Sequence, residues 1–395
     1  MEINKKELTR LQNKVKNLLK KPVVVQRSTN WYKTRNVALS ASEIAACLTF
    51  TQEVCEDYIK QFNVPDFKID GKCCSHFDTK EDFIVNKCRA FFGENVFIDS
   101  IFTLWGKKYE EIATRLYRIT FDTQVLEFGS LVHPRLKWLR CSPDGITSDG
   151  TLVEIKCPFK RKIKDGIVPF HYYLQCMLQL EVCDLETCDF LECEIVELKS
   201  IHQFINYPLI EFSLGKFQSK GLLINKVLEE KNSETKYIYP PDNLITTEDY
   251  INWYNEVSLT IQVEVQPIFY VIIKWGVIQV KRNKIWFDKI IKPILKENHT
   301  FIRKLQNDRA LSDKYRESIH LIKNKTFIEM YNKTECLIDS GSEYEYEDEY
   351  ENEYENEYEN EYYQQENKQD NKQDNKQQEN KQDNKLIDVC LLSEN

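Results

Sequence analysis

Apolar residues fall at helical spacing from the start of the chain. Leu8, Leu11, Val15, Leu18 and Leu19 stand three or four apart in a lysine-rich stretch that stops before Pro22. This predicts an amphipathic helix over 1–21 whose lysines form a solvated face. Val23-Val24-Val25 predicts a short strand, and Ser28 and Ser42 are placed as N-caps of helices beginning near Thr29 and Glu43. A helix begins at Trp105–Ala113, with Ile112, Leu116 and Ile119 on one face. A strand around Gln124–Phe128 and a turn at His133-Pro134 follow. His133 is expected to be structural or solvent-facing. Further on, the pattern predicts a helix over His171–Leu180, a core strand at Cys188–Leu191 and a helix over Leu209–Glu230, with a break at Pro240-Pro241. Residues 242–330 read as a helix, a β-hairpin of Phe269–Trp275 with Val277–Arg282, and long helices interrupted at Pro293. Trp275 and Trp286 are expected to serve packing.

The sharpest alternation is Leu152-Val153-Glu154-Ile155-Lys156, a β-branched and apolar run with charges at every second place. Side chains two apart on a strand share a face, so Glu154 and Lys156 project together and Val153 and Ile155 face the other way. Ser148-Asp149-Gly150, just before it, is a hairpin turn signal. A three-residue loop with left-handed Gly150 pairs Asp144 directly opposite Glu154. A two-residue Asp149-Gly150 turn pairs Glu154 with Gly145 instead. The three-residue loop is the expectation.

Composition adds a core and removes some classes. The chain has 395 residues, 42% of them hydrophobic, and no 18-residue apolar run. Residues 1–25 lack the apolar block of a signal peptide, and thirteen cysteines then point to a reducing, intracellular compartment. The net charge of −9 is unevenly placed. Residues 343–361 carry eleven acidic and no basic residues, and 362–395 carry seven acidic against five basic, so residues 1–342 stand at about +4. A mildly basic body suits a partner rich in phosphate. Residues 342–385 are Glu-Asn-Glu-Tyr and then Asn-Lys-Gln-Asp repeats with no apolar face, and disorder is expected there. Cys73-Cys74 and His76 lack the paired spacing of a zinc site. Cys183, Cys188 and Cys193 lack that of an iron–sulfur cluster.

Two carboxylates and a lysine on one face suit a hard divalent cation and the water beside it. Taken alone, Glu-x-Lys is an ordinary surface pattern. Within Ser142-Pro143-Asp144-Gly145, nine intervening residues and Glu154-Ile155-Lys156-Cys157-Pro158, it resembles the PD-(D/E)xK nuclease signature. The form is similar to the branch holding the YqaJ-like viral recombinases and phage lambda exonuclease. Gln26-x-Ser28-x-x-Trp31-x-x-x-Arg35, with Ser42 seven residues on, resembles the opening motif of the same family. Gly106-x-x-x-Glu110 matches its acidic helix element, and Gln175 its helical glutamine. The second glutamine of that pattern, two residues on, is Met177 here.

The resemblance implies an α/β fold: a PD-(D/E)xK restriction-endonuclease-like core, a central mixed β-sheet flanked by helices, a helical C-terminal extension and a disordered tail. The expected divisions are a basic N-terminal helix at 1–21, the nuclease core at 22–235, a helical extension with the hairpin at 236–335, and the tail at 336–395. It further implies a DNA exonuclease dependent on Mg²⁺ or Mn²⁺, acting 5′ to 3′ on linear duplex ends in viral recombination or repair. Asp144 and Glu154 would bind metal with the Ile155 carbonyl, and Glu110 would hold a metal or its water. Lys156 would position or deprotonate the attacking water, and Gln175 would hydrogen-bond within the site. Arg35, Ser42 and Ser142, with Arg161 or Lys162 from the basic run 160–164, would hold a DNA phosphate. A single-strand annealing protein and further copies of the chain are implied partners, with no membrane. In a viral setting the place of action is the host cytoplasm, a replication site or the virion. A structure-specific endonuclease or resolvase shares Asp144, Glu154 and Lys156 but need not carry the Arg35 set. A non-catalytic DNA-binding subunit would gain nothing from clustered carboxylates.

Overall fold

The structure is a computed structural model that describes residues 5–22, 24–48, 68–70, 77, 79–95, 99–209, 219–226, 237–261 and 263–335. Residues 1–323 form one compact unit and 324–395 a second, of which only 324–335 are described. Cys73, Cys74, His76 and the repeat tail therefore lie outside the described residues.

The helices used below are α1 (Lys5–Leu19), α2 (Thr29–Val37), α3 (Lys80–Phe91), α4 (Ile101–Phe121), α5 (Phe170–Cys183), α6 (Thr247–Thr260), α7 (Lys292–Asn307) and α8 (Arg309–Glu335). The strands are β1 (Leu39–Ser40), β2 (Lys68–Asp70), β3 (Val125–Leu126), β4 (Leu131–Val132), β5 (Leu139–Cys141), β6 (Gly145–Thr147), β7 (Leu152–Lys156), β8 (Ile167–Pro169), β9 (Thr187–Leu198), β10 (Lys220–Lys226), β11 (Tyr237–Ile238) and β12 (Val265–Lys281).

A seven-stranded mixed sheet runs β11-β10-β12-β9-β7-β6-β3, with β7 and β9 parallel and its other pairs antiparallel. Helices cover both faces, as the period-2 alternation requires. Val153, Ile155, Leu191 and Cys193 pack on Tyr109, Ile112, Ala113 and Leu116 of α4. Leu152, Cys188 and Phe190 join Leu174, Met177, Leu178 and Leu180 of α5 in the second core. The fold is thus α/β, with a central mixed sheet between helices.

Several expectations change. The stretch expected as a hairpin at 269–282 is one strand, β12. Trp275, Gly276 and Val277 pair with Cys193, Glu192 and Leu191, so Gly276 continues the ladder where a turn was expected. A bulge between Ile272 and Lys274 absorbs the register shift. The sheet therefore runs across the expected division at 235/236. Within the helix expected over Leu209–Glu230, residues 220–226 form strand β10, buried between β11 and β12. Its Leu222, Leu223 and Ile224 are all buried, a run that periodicity alone does not assign to helix or strand. Val24 and Val25 form no strand, and the Val24 carbonyl accepts one bond from Ser130. Ser28 caps α2 as expected, accepting the Trp31 N–H. Ser42 does not cap: it lies inside a 3₁₀ turn, Ala41–Glu43, whose capping box is Ser40 with Glu43. Near Pro293 the helix continues through a π turn at Phe287–Ile291 into α7, which tolerates proline in its first turn.

His133 is buried and structural. Its Nδ1 accepts the N–H groups of Arg135 and Leu136, and Nε2 faces Glu181 at 3.5 Å. Arg282, just beyond β12, donates to the same Glu181 and to Asp184, which Lys14 of α1 also meets. The amphipathic first helix is thereby seated, with Leu11, Val15 and Leu18 buried.

Candidate active site

The β6–β7 hairpin decides the geometry. Gly145 pairs with Val153 and Ile146 with Leu152, so the next step along the same register sets Asp144 opposite Glu154. Thr147 and Thr151 close the turn through the Thr147 N–H, leaving Ser148, Asp149 and Gly150 as its three residues. Gly150 takes φ +93°, where a side chain is strained. A Cβ there would also meet Leu11 at 3.0 Å. The three-residue loop is the one the structure adopts.

Asp144 Oδ2 accepts the Ile155 N–H at 2.8 Å, which ties the start of β6 to the middle of β7. Glu154 is fully buried, and both its oxygens are held. Oε1 takes Lys156 Nζ and Gln175 Nε2 at 2.5 Å each, and Oε2 takes Gln179 Nε2 at 2.7 Å. Gln179 stands one helical turn after Gln175 on α5. It is a second glutamine clamp, four residues on, where the family motif has its second glutamine two residues on and this chain has Met177. The i,i+4 spacing on α5 was the signal that could have found it. Met177 itself is buried in the core.

Glu110 comes from α4 and meets Arg27 Nη2 at 3.4 Å. Arg27 had no local signal in the sequence. It lies 83 residues from Glu110, at φ +66° beside the start of α2. The charges of Asp144, Glu110, Glu154 and Lys156 act on one another. Desolvation, then the Glu154 and Glu110 carboxylates, push Asp144 well above the usual carboxylate range against the pull of Lys156. Desolvation also raises Glu110, with Arg27 and Lys156 opposing it and Glu154 adding to it. Burial works against the Lys156 ammonium, but Glu154, Tyr172 and Asp144 together outweigh it and the lysine holds its proton above its ordinary range. Three carboxylates thus share too little positive charge. Their oxygens, with the Ile155 carbonyl beside them, are donors of the kind a hard divalent cation takes. Among the described residues no group of three or more Asp, Glu, His or Cys side chains is arranged so as to hold a metal ion.

The phosphate residues named from sequence divide into two groups. Arg35 donates to Ser42 Oγ at 3.1 Å and lies 4.4 Å above the Trp31 ring, and Trp31 Nε1 donates to Ser142 Oγ at 3.0 Å. Arg35, Ser42 and Ser142 therefore gather around Trp31, and Ser142 stands two residues before Asp144. Gln26 supports the same loop by donating to the Pro143 carbonyl at 3.4 Å. Arg35 also meets Glu43, and the ammonium of Lys87 meets both Glu43 oxygens at 2.9 Å. Burial would raise Glu43, but Lys87 and Arg35 outweigh it and hold the carboxyl at about 2. Arg161 and Lys162 are held elsewhere, on β9. Arg161 pairs with Glu192 and Lys162 with Glu194, and Lys274 of β12 binds the Ile163 carbonyl at 2.8 Å. Lys162 is nonetheless 76% exposed at its side chain. Glu192 is the direct parallel neighbour of Lys156, a relation no local pattern announces.

Among known proteins, the chain is similar to "Uncharacterized protein R354" of Acanthamoeba polyphaga mimivirus, with 28% identity over 372 residues. That alignment covers 82% of this chain, and the chain spans only 61% of the mimivirus protein. Two solved structures are also similar. One is an alkaline exonuclease from Laribacter hongkongensis, with TM-score 0.38 and 15% identity, covering 72% of this chain and 98% of that one. The other is a phage-related exonuclease from Haemophilus somnus 129PT, with TM-score 0.38 and 12% identity, covering 69% and 96%. Among the described residues no helix is long and apolar enough to cross a membrane. Residues 30–186, which hold every site residue named from the sequence, match the model of the YqaJ-like viral recombinase domain.

Proposed function

We propose that the protein is a divalent-metal-dependent deoxyribonuclease that degrades linear duplex DNA from its 5′ ends in recombination or repair. The observation that carries the reading is the hairpin register that sets Asp144 opposite Glu154, with Lys156 and two glutamines gathered on Glu154. Asp144, Glu154 and the Ile155 carbonyl would hold Mg²⁺ or Mn²⁺, with Glu110 beside them. A bound cation supplies Lewis acidity toward the phosphate and a water poised to attack it.

The chain's own groups have separable tasks. Gln175 and Gln179 fix the Glu154 carboxylate by its two oxygens, so it is oriented before substrate arrives. Lys156, held protonated by Glu154, is suited to donate toward phosphate oxygen or to orient water, and is ill-suited to remove a proton. Arg35, Ser42 and Ser142 offer one guanidinium and two hydroxyls to a terminal 5′-phosphate. That pocket favours an exonuclease over a resolvase. The buried carboxylates favour an enzyme over a DNA-binding subunit, since they repel phosphate unless a cation joins them.

The test incubates purified protein with Mg²⁺ and either linear or closed-circular duplex. Loss of the linear DNA alone is the expected result. Loss of both makes the protein an endonuclease, and loss of neither leaves a binder. An annealing protein or further copies of the chain would act downstream of this chemistry. Their binding is read by co-sedimentation with and without DNA.

A further inference from the structure

Tyr172 stands one helical turn before Gln175 on α5, on the side that meets the end of β7. Lys156 Nζ lies 4.8 Å from the centroid of its ring, and the Arg161 guanidinium carbon lies 5.8 Å from the same centroid. The ring is braced by Phe190 of β9 at 5.6 Å and by His171 at 3.9 Å, centroid to centroid. Lys156 is at the same time 2.5 Å from Glu154 Oε1. A lysine side chain is a flexible stem ending in a point charge with no preferred fork, so one ion pair does not fix its direction. A carboxylate on one side and an aromatic face on the other do fix it. Arg161 is restrained in the same manner, between Glu192 and the ring.

We propose that Tyr172 is a positioning residue for Lys156: its ring face orders that cation at the reacting phosphate without touching the reacting atoms. The proposal rests on the nuclease reading above. Attraction of a cation to an aromatic face requires the ring and not the hydroxyl. The phenylalanine variant should therefore behave as wild type, and an aliphatic one should not.

The experiment compares Tyr172→Phe with Tyr172→Leu in the full chain. Tyr172→Phe is expected to keep the wild-type kcat. Tyr172→Leu is expected to lose about 3- to 30-fold in kcat, the range of a partly desolvated cation–π contact, with KM changing by less than about twofold. Equal rates for Tyr172→Leu and wild type would overturn the proposal. So would a Tyr172→Phe variant as slow as Tyr172→Leu, since the hydroxyl would then be the working group. If Tyr172→Leu fails to fold, Tyr172→Trp replaces it, and the ring reading requires that variant to retain activity.

A second readout does not depend on cleavage. Lysines are labelled by reductive ¹³C-methylation, and the Lys156 signal is assigned with Lys156→Arg. Wild type and Tyr172→Phe are expected to show that signal displaced by the ring current, and Tyr172→Leu to lose the displacement. An undisplaced signal in wild type overturns the contact itself. If wild type cleaves no DNA while the displacement is present, the nuclease reading fails and takes the positioning role with it. If wild type cleaves and Tyr172→Leu cleaves equally, only the role of the ring fails.

Discussion

Replacing Glu43 by glutamine tests how the candidate phosphate pocket is held. Glu43 accepts Lys87 at both oxygens, Arg35 at one and the Ser40 N–H at 3.0 Å. Its carboxyl sits at about 2, against an ordinary 4.5. Each tenfold change in proton affinity is worth roughly 1.4 kcal/mol, so the ionised carboxylate contributes on the order of 3 kcal/mol. That agrees with the roughly 3–5 kcal/mol lost when one partner of a buried pair is removed. Lys87 sets a ceiling on the loss. Its side chain is only 6% exposed, and burial already lowers its pKa despite Glu43, so in the variant it can shed its proton and escape the full penalty. The sign follows from linkage. A carboxyl whose folded value lies below its unfolded one stabilises fully above about 4.5 and loses that contribution as pH falls toward about 2. Wild type and Glu43→Gln are unfolded in urea between pH 7 and pH 3. The gap in unfolding free energy should be about 3 kcal/mol at pH 7 and shrink steadily below about pH 4.5. Equal stability at pH 7, or a gap that does not change with pH, would refute the reasoning.

Three further outcomes are expected. Asp144→Asn, Glu154→Gln and Lys156→Ala should each lower cleavage by on the order of 10²-fold or more while the protein stays folded by circular dichroism. Near-normal cleavage by folded Lys156→Ala would remove the site assignment. Linear duplexes with 5′-phosphate ends should be degraded faster than those with 5′-hydroxyl ends, and Arg35→Ala should reduce that preference without changing calorimetric Mg²⁺ binding. Equal rates on the two ends in wild type would put the endonuclease reading first. Deleting residues 341–395 should leave the melting temperature unchanged, because a polar repeat contributes no packed apolar area, and a large drop would show that the segment is folded.

What could be read from the sequence was what short-range geometry determines. Asp144 and Glu154 face each other because a turn of three residues and an alternation of five are local facts, and local patterns carry them completely. Gln175 was legible only through the family resemblance, and Gln179 was there to be read from helical spacing. Other features depended on partners far away in the chain. Gly276 looks like a turn until Glu192 is seen across from it, 84 residues earlier. Leu222-Leu223-Ile224 looks helical until strands on both sides claim it. Arg161 and Lys162 form a basic run on paper, but Glu192 and Glu194 take them to β9. Arg27 reaches Glu110 only because α4 is packed against the sheet.

The continuity of β12 has a consequence for where the chain can be divided. Its first half pairs with β10 and its second half with β9, and Lys274 at the bulge grips the loop that carries Arg161 and Lys162. A polypeptide ending near residue 235 would keep every residue of the family match yet strip the partner from the whole length of β9. Twelve residues of open strand edge, rich in Phe190, Leu191 and Ile195, would then seek a ladder in another molecule. A fragment cut near residue 235 should therefore be found in aggregates, and the shortest soluble form should extend past Lys281.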